Sequence, residues 1–115
     1  MSPLFIFTQS PNSNTQAREG VEAVLACAAF DQTPAVMFID QGVLQLLPQA
    51  DKVGRKNLNK MVQALEIYGV ESIYVCADSL VRFGVAPTEL KPEGQLISLS
   101  ERSLIIQQAA WVACF

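Results

Sequence analysis

Three cysteines, Cys27, Cys76 and Cys114, are the most reactive side chains in a 115-residue chain that has no histidine. Without histidine there is no Ser-His or Cys-His nucleophile pair, and most zinc sites are excluded. No metal site and no cofactor are expected. Cys76 has the most suggestive setting. It closes the apolar run Ile73-Tyr74-Val75-Cys76 and precedes a short helical stretch, Ala77 to Phe83 with Gly84 as its stop. It therefore belongs at the carboxyl end of a strand, where open α/β sheets place their ligands. The partial positive charge of a helix N-terminus favours thiolate or persulfide there. A free cysteine is also among the most buried residue types and often packs as a small hydrophobe. Cys76 is thus the candidate catalytic residue, with a packing role as the alternative. Cys27, inside an apolar helix, and Cys114, in a terminal strand, read as packing residues. The three form no CxxC and no even-numbered framework, which fits free thiols in a reducing compartment.

Other chemistries find little support. The loop after the first strand contains no glycine, so neither a GxGxxG turn nor a phosphate-cradling loop is available. Asp40 follows a strand, as a phosphoacceptor would, but that chemistry needs an acidic pair after the first strand. Thr8 and Gln9 stand there instead, so Asp40 reads as a turn and cap residue. Arg18-Glu19-Gly20 suits a solvated helix face, an anion-binding feature or an interface. A glycine inside a helix costs about 1 kcal/mol relative to alanine, so close packing of Gly20 against another backbone is the expected compensation.

The elements that position these residues follow from apolar patterning. Pro3 to Thr8, Ala35 to Ile39, Ile73 to Cys76, Gln95 to Leu99 and Trp111 to Phe115 read as strands. Helices are predicted from Thr15 to about Phe30, from Asn57 to Tyr68 with Gly69 at C′, over Ala77 to Phe83, and from Ser98 to Ala109. Ser13 with Gln16 and Ser98 with Glu101 have capping-box spacing. The order β-α-β-α-β-α-β-α-β predicts an α/β fold: one domain over residues 1–115, with a five-stranded, mainly parallel sheet covered by helices on both faces in three layers. A flavodoxin-like strand order of 2-1-3-4-5 is expected.

Hydrophobic residues make up 50% of the chain and charged residues 17%, against roughly 25% charged in an average domain. A small domain has much surface for its volume, so this composition predicts apolar surface covered by other chains. The second half of the first helix, Val21 to Phe30, is apolar on nearly every side. The loop Val43-Leu44-Gln45-Leu46-Leu47-Pro48 carries four large apolar residues where loops are normally polar. Val43, Leu44, Leu46 and Leu47 are therefore interface candidates, the alternative being that the segment folds back on the core. A net charge of −3 with scattered Lys and Arg argues against direct nucleic-acid binding. No segment reaches the roughly 18 apolar residues of a membrane span, and Met1-Ser2-Pro3 lacks the basic start of a signal peptide. A soluble, cytoplasmic protein is expected.

Several segments taken in order carry a family resemblance. These are Arg18-Glu19-Gly20, the apolar helix to Ala28, Phe38-Ile39-Asp40 followed by Gly42-Val43, Gln45-Leu46-Leu47-Pro48, and Val75-Cys76-Ala77 with Ser79-Leu80 and Gly84. Together they resemble the TusC/DsrF family of sulfur-relay proteins, with Gly42 to Pro48 the most specific piece. The resemblance implies a DsrE-like fold and a heterohexamer with TusB-like and TusD-like sister subunits. In the version that serves tRNA thiolation, such a complex passes persulfide sulfur toward the wobble uridine. The related DsrE, DsrF and DsrH complex serves sulfur oxidation. Cys76 occupies a position similar to the persulfide-carrying cysteine of the TusD/DsrE subunit, whereas the TusC/DsrF subunit is regarded as structural. The family thus implies an interaction subunit, with a sulfur carrier using Cys76 as the competing reading and a homo-oligomeric relative as a third. Asp78, Gln49 and Ala113-Cys114-Phe115 depart from the family pattern.

Overall fold

The strands are apolar at consecutive positions because each is covered on both faces. In the computed structural model, which describes residues 2–11, 15–30, 32–49 and 57–115, they are β1 (Leu4–Phe7), β2 (Ala35–Phe38), β3 (Ser72–Cys76), β4 (Gln95–Ile97) and β5 (Val112–Cys114). Side-chain alternation along them divides the core in two. Phe5, Phe7, Val36, Phe38, Ile73 and Val75 point to one face, and Leu4, Ile6, Ala35, Met37 and Ile97 to the other. The helices are α1 (Gln16–Ala29), α2 (Leu58–Ile67), α3 (Ala77–Arg82) and α4 (Leu99–Gln108). The first core takes Val21 and Val24 from α1, Val62 and Leu65 from α2 and Leu80 from α3. The second is closed by Ile105 and Ile106 of α4. This is the expected three-layer α/β fold.

The five strands are all parallel, in the order β4-β3-β2-β1-β5. The expected order 2-1-3-4-5 is therefore corrected. The first three crossovers each move the chain one strand further in the same direction, so α1, α2 and α3 share a face. Only the β4-α4-β5 crossover turns back, beneath the opposite face, and seats β5 on the free side of β1. Right-handed crossovers permit both orders, so handedness does not choose between them. Burial does. All four residues of β2 are buried, as an interior strand requires, whereas Gln95 and Leu96 of β4 are exposed, as an edge allows.

Local chemistry sets most helix ends. The Asn57 side chain accepts the Lys60 N–H at 3.2 Å and starts α2. Ser98 and Glu101 form a reciprocal capping box at the start of α4. Gly69 follows α2 at a φ of 89°, a left-handed conformation that favours glycine. The Ser13 and Gln16 pairing falls on Ser13, outside the described residues. Gly20 is buried in α1 because a Cβ there would stand 2.5 Å from the Phe7 ring and 2.8 Å from that of Phe115. The close approach is to aromatic rings rather than to the backbone expected from the sequence.

Candidate functional site

Cys76 ends β3 and caps α3, as its place in the sequence predicted. Its side chain points to the α4 face by alternation with Tyr74, and it is 0% exposed. The capping box that starts α4 fixes the turn carrying Arg102, whose backbone N–H bonds the Ser98 carbonyl at 2.9 Å. The half-buried Arg102 guanidinium then reaches back across the sheet, and its Nη1 lies 4.0 Å from the Cys76 Sγ. This neighbour is invisible in sequence because 26 positions separate the two residues. They meet only because α4 crosses beneath the sheet.

A polar cluster borders the same end of the sheet. Asp40 follows β2 with a φ of 51°, the left-handed region, which Asp enters more readily than most side chains. Its N–H donates to the buried Ser79 Oγ at 2.8 Å, tying the turn after β2 to the first turn of α3. Its carboxylate pairs with Arg82, which also faces Asp78 at 3.7 Å. These three side chains are about half exposed, so each pair contributes at most about 1 kcal/mol. Asp40 is the turn residue expected from the sequence, with an added ionic contact.

The apolar segment after Asp40 is a 3-10 helix, Asp40–Leu46, that folds back onto the α1/α2 core. Val43 and Leu46 are fully buried within this chain, as in the alternative in which the segment folds back on the core. Leu44 and Leu47 are only half-buried and keep surface for a partner. Gly42 makes the fold-back possible, since a Cβ there would come within 1.9 Å of the Phe7 carbonyl oxygen. Behind the segment lies a buried polar pair that sequence reasoning missed. Gln45 donates to the Gln9 carbonyl at 2.8 Å. Asn59 donates to the carbonyls of Gln45 at 2.9 Å and Lys91 at 2.8 Å. Asn59 stands on the inward face of α2, where a polar residue signals a buried bonding role.

The other cysteines differ from one another. Cys27 packs partly against the core and donates to the Gln32 Oε1 at 3.2 Å. Burial pushes its thiol pKa up and disfavours the thiolate. Cys114 is exposed on β5, so its assignment to packing is corrected. A groove of about 180 Å³ lined by Ser2, Leu4, Ala35, Ser72, Tyr74 and Ile105 opens at the amino ends of the strands, away from Cys76. Chemically, the carboxyl end of the sheet offers one enclosed thiol beside one cation. Among the described residues no helix is long and apolar enough to cross a membrane.

Residues 1–112 match the profile of the DsrE/DsrF-like family. The chain belongs to this family. Among its relatives is a protein named TusC homolog from Vibrio parahaemolyticus serotype O3:K6 (strain RIMD 2210633), 33% identical over 96% of both chains. A second TusC homolog, from Vibrio vulnificus (strain CMCP6), is 30% identical over the same shares. Among solved structures, the ychN protein of Escherichia coli superposes with a TM-score of 0.85 over the whole of both chains at 15% identity. A conserved protein of unknown function from Bacteroides thetaiotaomicron, BT1422, gives 0.72 at 13% identity, covering 99% of this chain and 95% of that one. At such identities the two structures speak for the DsrE/DsrF-like fold alone.

Proposed function

We propose that this DsrE/DsrF-like chain is a TusC-like subunit of a cytoplasmic sulfur-relay assembly, one that holds sister subunits in place and does not itself carry the sulfur. The observation that carries the reading is the end-to-end similarity to TusC homologs, combined with a Cys76 thiol that has no solvent-exposed surface. A sulfur carrier must present its thiolate to a donor and then to an acceptor. The partners are TusB-like and TusD-like subunits in a heterohexamer, and the pathway ends in thiolation of the tRNA wobble uridine. Apolar side chains left on the surface, among them Phe30, Ile67, Tyr68 and Val81, support contact with other chains. So does the partial exposure of Leu44 and Leu47.

A second reading makes Cys76 a persulfide carrier, and its place at the carboxyl end of β3, with the Arg102 Nη1 4.0 Å from its sulfur, favours it. In that reading the Cys76 thiolate attacks the outer sulfur of a donor persulfide and releases the donor thiolate. A DsrF-like role in sulfur oxidation would use the same chain with different partners. The test is affinity purification of the tagged chain from its own cells, native mass spectrometry, then incubation with a persulfide donor. Recovery with two small sister proteins, and no sulfur added to Cys76, is expected. Recovery of the chain alone would overturn the subunit reading. An added sulfur on Cys76 that disappears in Cys76→Ser would establish the carrier reading in its place.

A further inference from the structure

We infer that Arg102 is a gate over Cys76: its side chain alone roofs the thiol on the α4 face, and displacing it opens Cys76 without unfolding the rest of the chain. The direction of Cys76 follows from its strand. Val75 belongs to the first core and Tyr74 packs against the second, so alternation turns Cys76 toward α4, the helix that packs on that face. Its walls come from the neighbouring strands. Ile97 is its register partner on β4, and Ile39 follows Phe38, the register partner of Val75. Both pack in the second core. Side chains of a sheet stand roughly perpendicular to it, so these two flank the thiol and leave its outer side to α4.

The inward stripe of α4 runs through Arg102, Ile105, Ile106 and Ala109, the i, i+3, i+4, i+7 spacing of a face turned to a core. Ile105, Ile106 and Ala109 pack on the second core. At the stripe's first position an apolar side chain would complete that core, and an arginine stands there instead. From Ser98 to Leu104 every residue but Arg102 is exposed, Leu99 at 47% and Leu104 at 54%. What α4 contributes over Cys76 is therefore one half-buried side chain, with its Nη1 4.0 Å from the sulfur.

Little holds that side chain in place. Among the described residues Arg102 has no carboxylate partner: Glu101 accepts the Ser98 N–H in the capping box, and Asp40 and Asp78 face Arg82. Its guanidinium gains only a 4.0 Å contact with a thiol, a weak acceptor, although it carries five N–H donors. An arginine can keep its stem on apolar surface while its head moves into water. The backbone need not follow, because the capping box fixes the first turn of α4. The enclosure of Cys76 is thus a property of one rotamer rather than of the core. The gate goes beyond both functional readings, since it concerns access to the thiol and not what the thiol receives.

The experiment alkylates the folded full chain with iodoacetamide and follows Cys76 by peptide mass spectrometry, with the exposed Cys114 as internal reference. Arg102→Ala is expected to label Cys76 at least tenfold faster than the parent chain. Arg102→Met, which puts a long, flexible apolar side chain into the stripe, should label no faster than the parent. A series of low urea concentrations separates the gate from unfolding. Local opening exposes little surface, so Cys76 labelling in Arg102→Ala should stay constant below the urea midpoint, whereas labelling through global unfolding climbs with the full m-value. Labelling of Cys76 in Arg102→Ala at the parent rate, with the urea dependence of global unfolding, or no faster than in Arg102→Met would overturn the gate. Sister-chain capture and sulfur transfer are read in separate assays, so failure of a functional reading and failure of the gate are distinguishable.

Discussion

Leu46 and Leu47 are adjacent in sequence and differ in what their loss should do, which separates folding from assembly. Leu46 is fully buried in the core between the sheet and α1/α2, and its carbonyl accepts the Lys91 N–H at 2.8 Å. Truncating a buried leucine to alanine costs about 2–5 kcal/mol, and Leu46→Ala should lie near the middle because its backbone is held by that bond. A chain of this size has a total stability of roughly 6–17 kcal/mol, so the variant folds with a reduced margin. With a urea m-value of about 1.5 kcal/mol/M, the midpoint should fall by about 2 M. Leu46→Asp adds the cost of burying a charge and should not fold. Leu47 is half-buried, so Leu47→Asp should unfold within about 1 M of the parent chain while losing sister-subunit capture. Urea denaturation followed by circular dichroism, with co-purification from cells, reads both effects. A Leu46→Ala midpoint within about 0.3 M of the parent would refute the packing of Asp40–Leu46 on the core. Full capture by Leu47→Asp would remove that residue from the contact.

Further outcomes follow from the same geometry. Gly42→Ala should cost about 3 kcal/mol or more, because its new methyl overlaps a backbone carbonyl that cannot rotate away, whereas Gly69→Ala meets open space and costs about 1 kcal/mol for its left-handed φ; thermal melts of the two compare them. Alkylation by iodoacetamide at pH 8, followed by peptide mass spectrometry, should label Cys114 first, Cys27 more slowly and Cys76 only on unfolding. The raised folded-state pKa of Cys27 also sets a sign. Its contribution is fully present below the unfolded thiol value of about 8.5 and is lost as pH rises beyond it, since the unfolded chain releases that proton first. Cys27→Ala should accordingly flatten the fall in stability above about pH 8.5, read from urea midpoints. Asp40→Asn keeps a side chain tolerant of left-handed φ and removes the Arg82 ion pair, so its urea midpoint should shift by less than about 1 M.

The candidate site was legible in part. Position alone placed Cys76 at the carboxyl end of β3, because an apolar run followed by a helix start is local information. Its enclosure is not local. Arg102 and the sheet around Cys76 arrive from elements whose order no window of sequence contains. The Val43 to Leu47 segment shows the same limit. Its apolar content required burial, yet whether the cover came from this chain or another depended on Gly42, whose missing side chain lets the segment close over Phe7. Cys114, apolar in its neighbours and therefore assigned to packing, lies exposed because β5 became an edge.

What the sequence by itself determined was every element that rests on nearest neighbours: strands from continuous apolar runs, helix starts from Asn57 and from Ser98 with Glu101, stops from Gly69 and Gly84, and hence the α/β class and its parallel sheet. What only the tertiary structure decided was the strand order, the two edges, and which apolar residues remain on the surface. The physical reason is that hydrogen bonds and caps act over a few residues, whereas the side of β1 on which β5 docks depends on the summed burial of the whole sheet. Both orders keep each crossover right-handed, and the choice falls to which strands can tolerate an exposed flank.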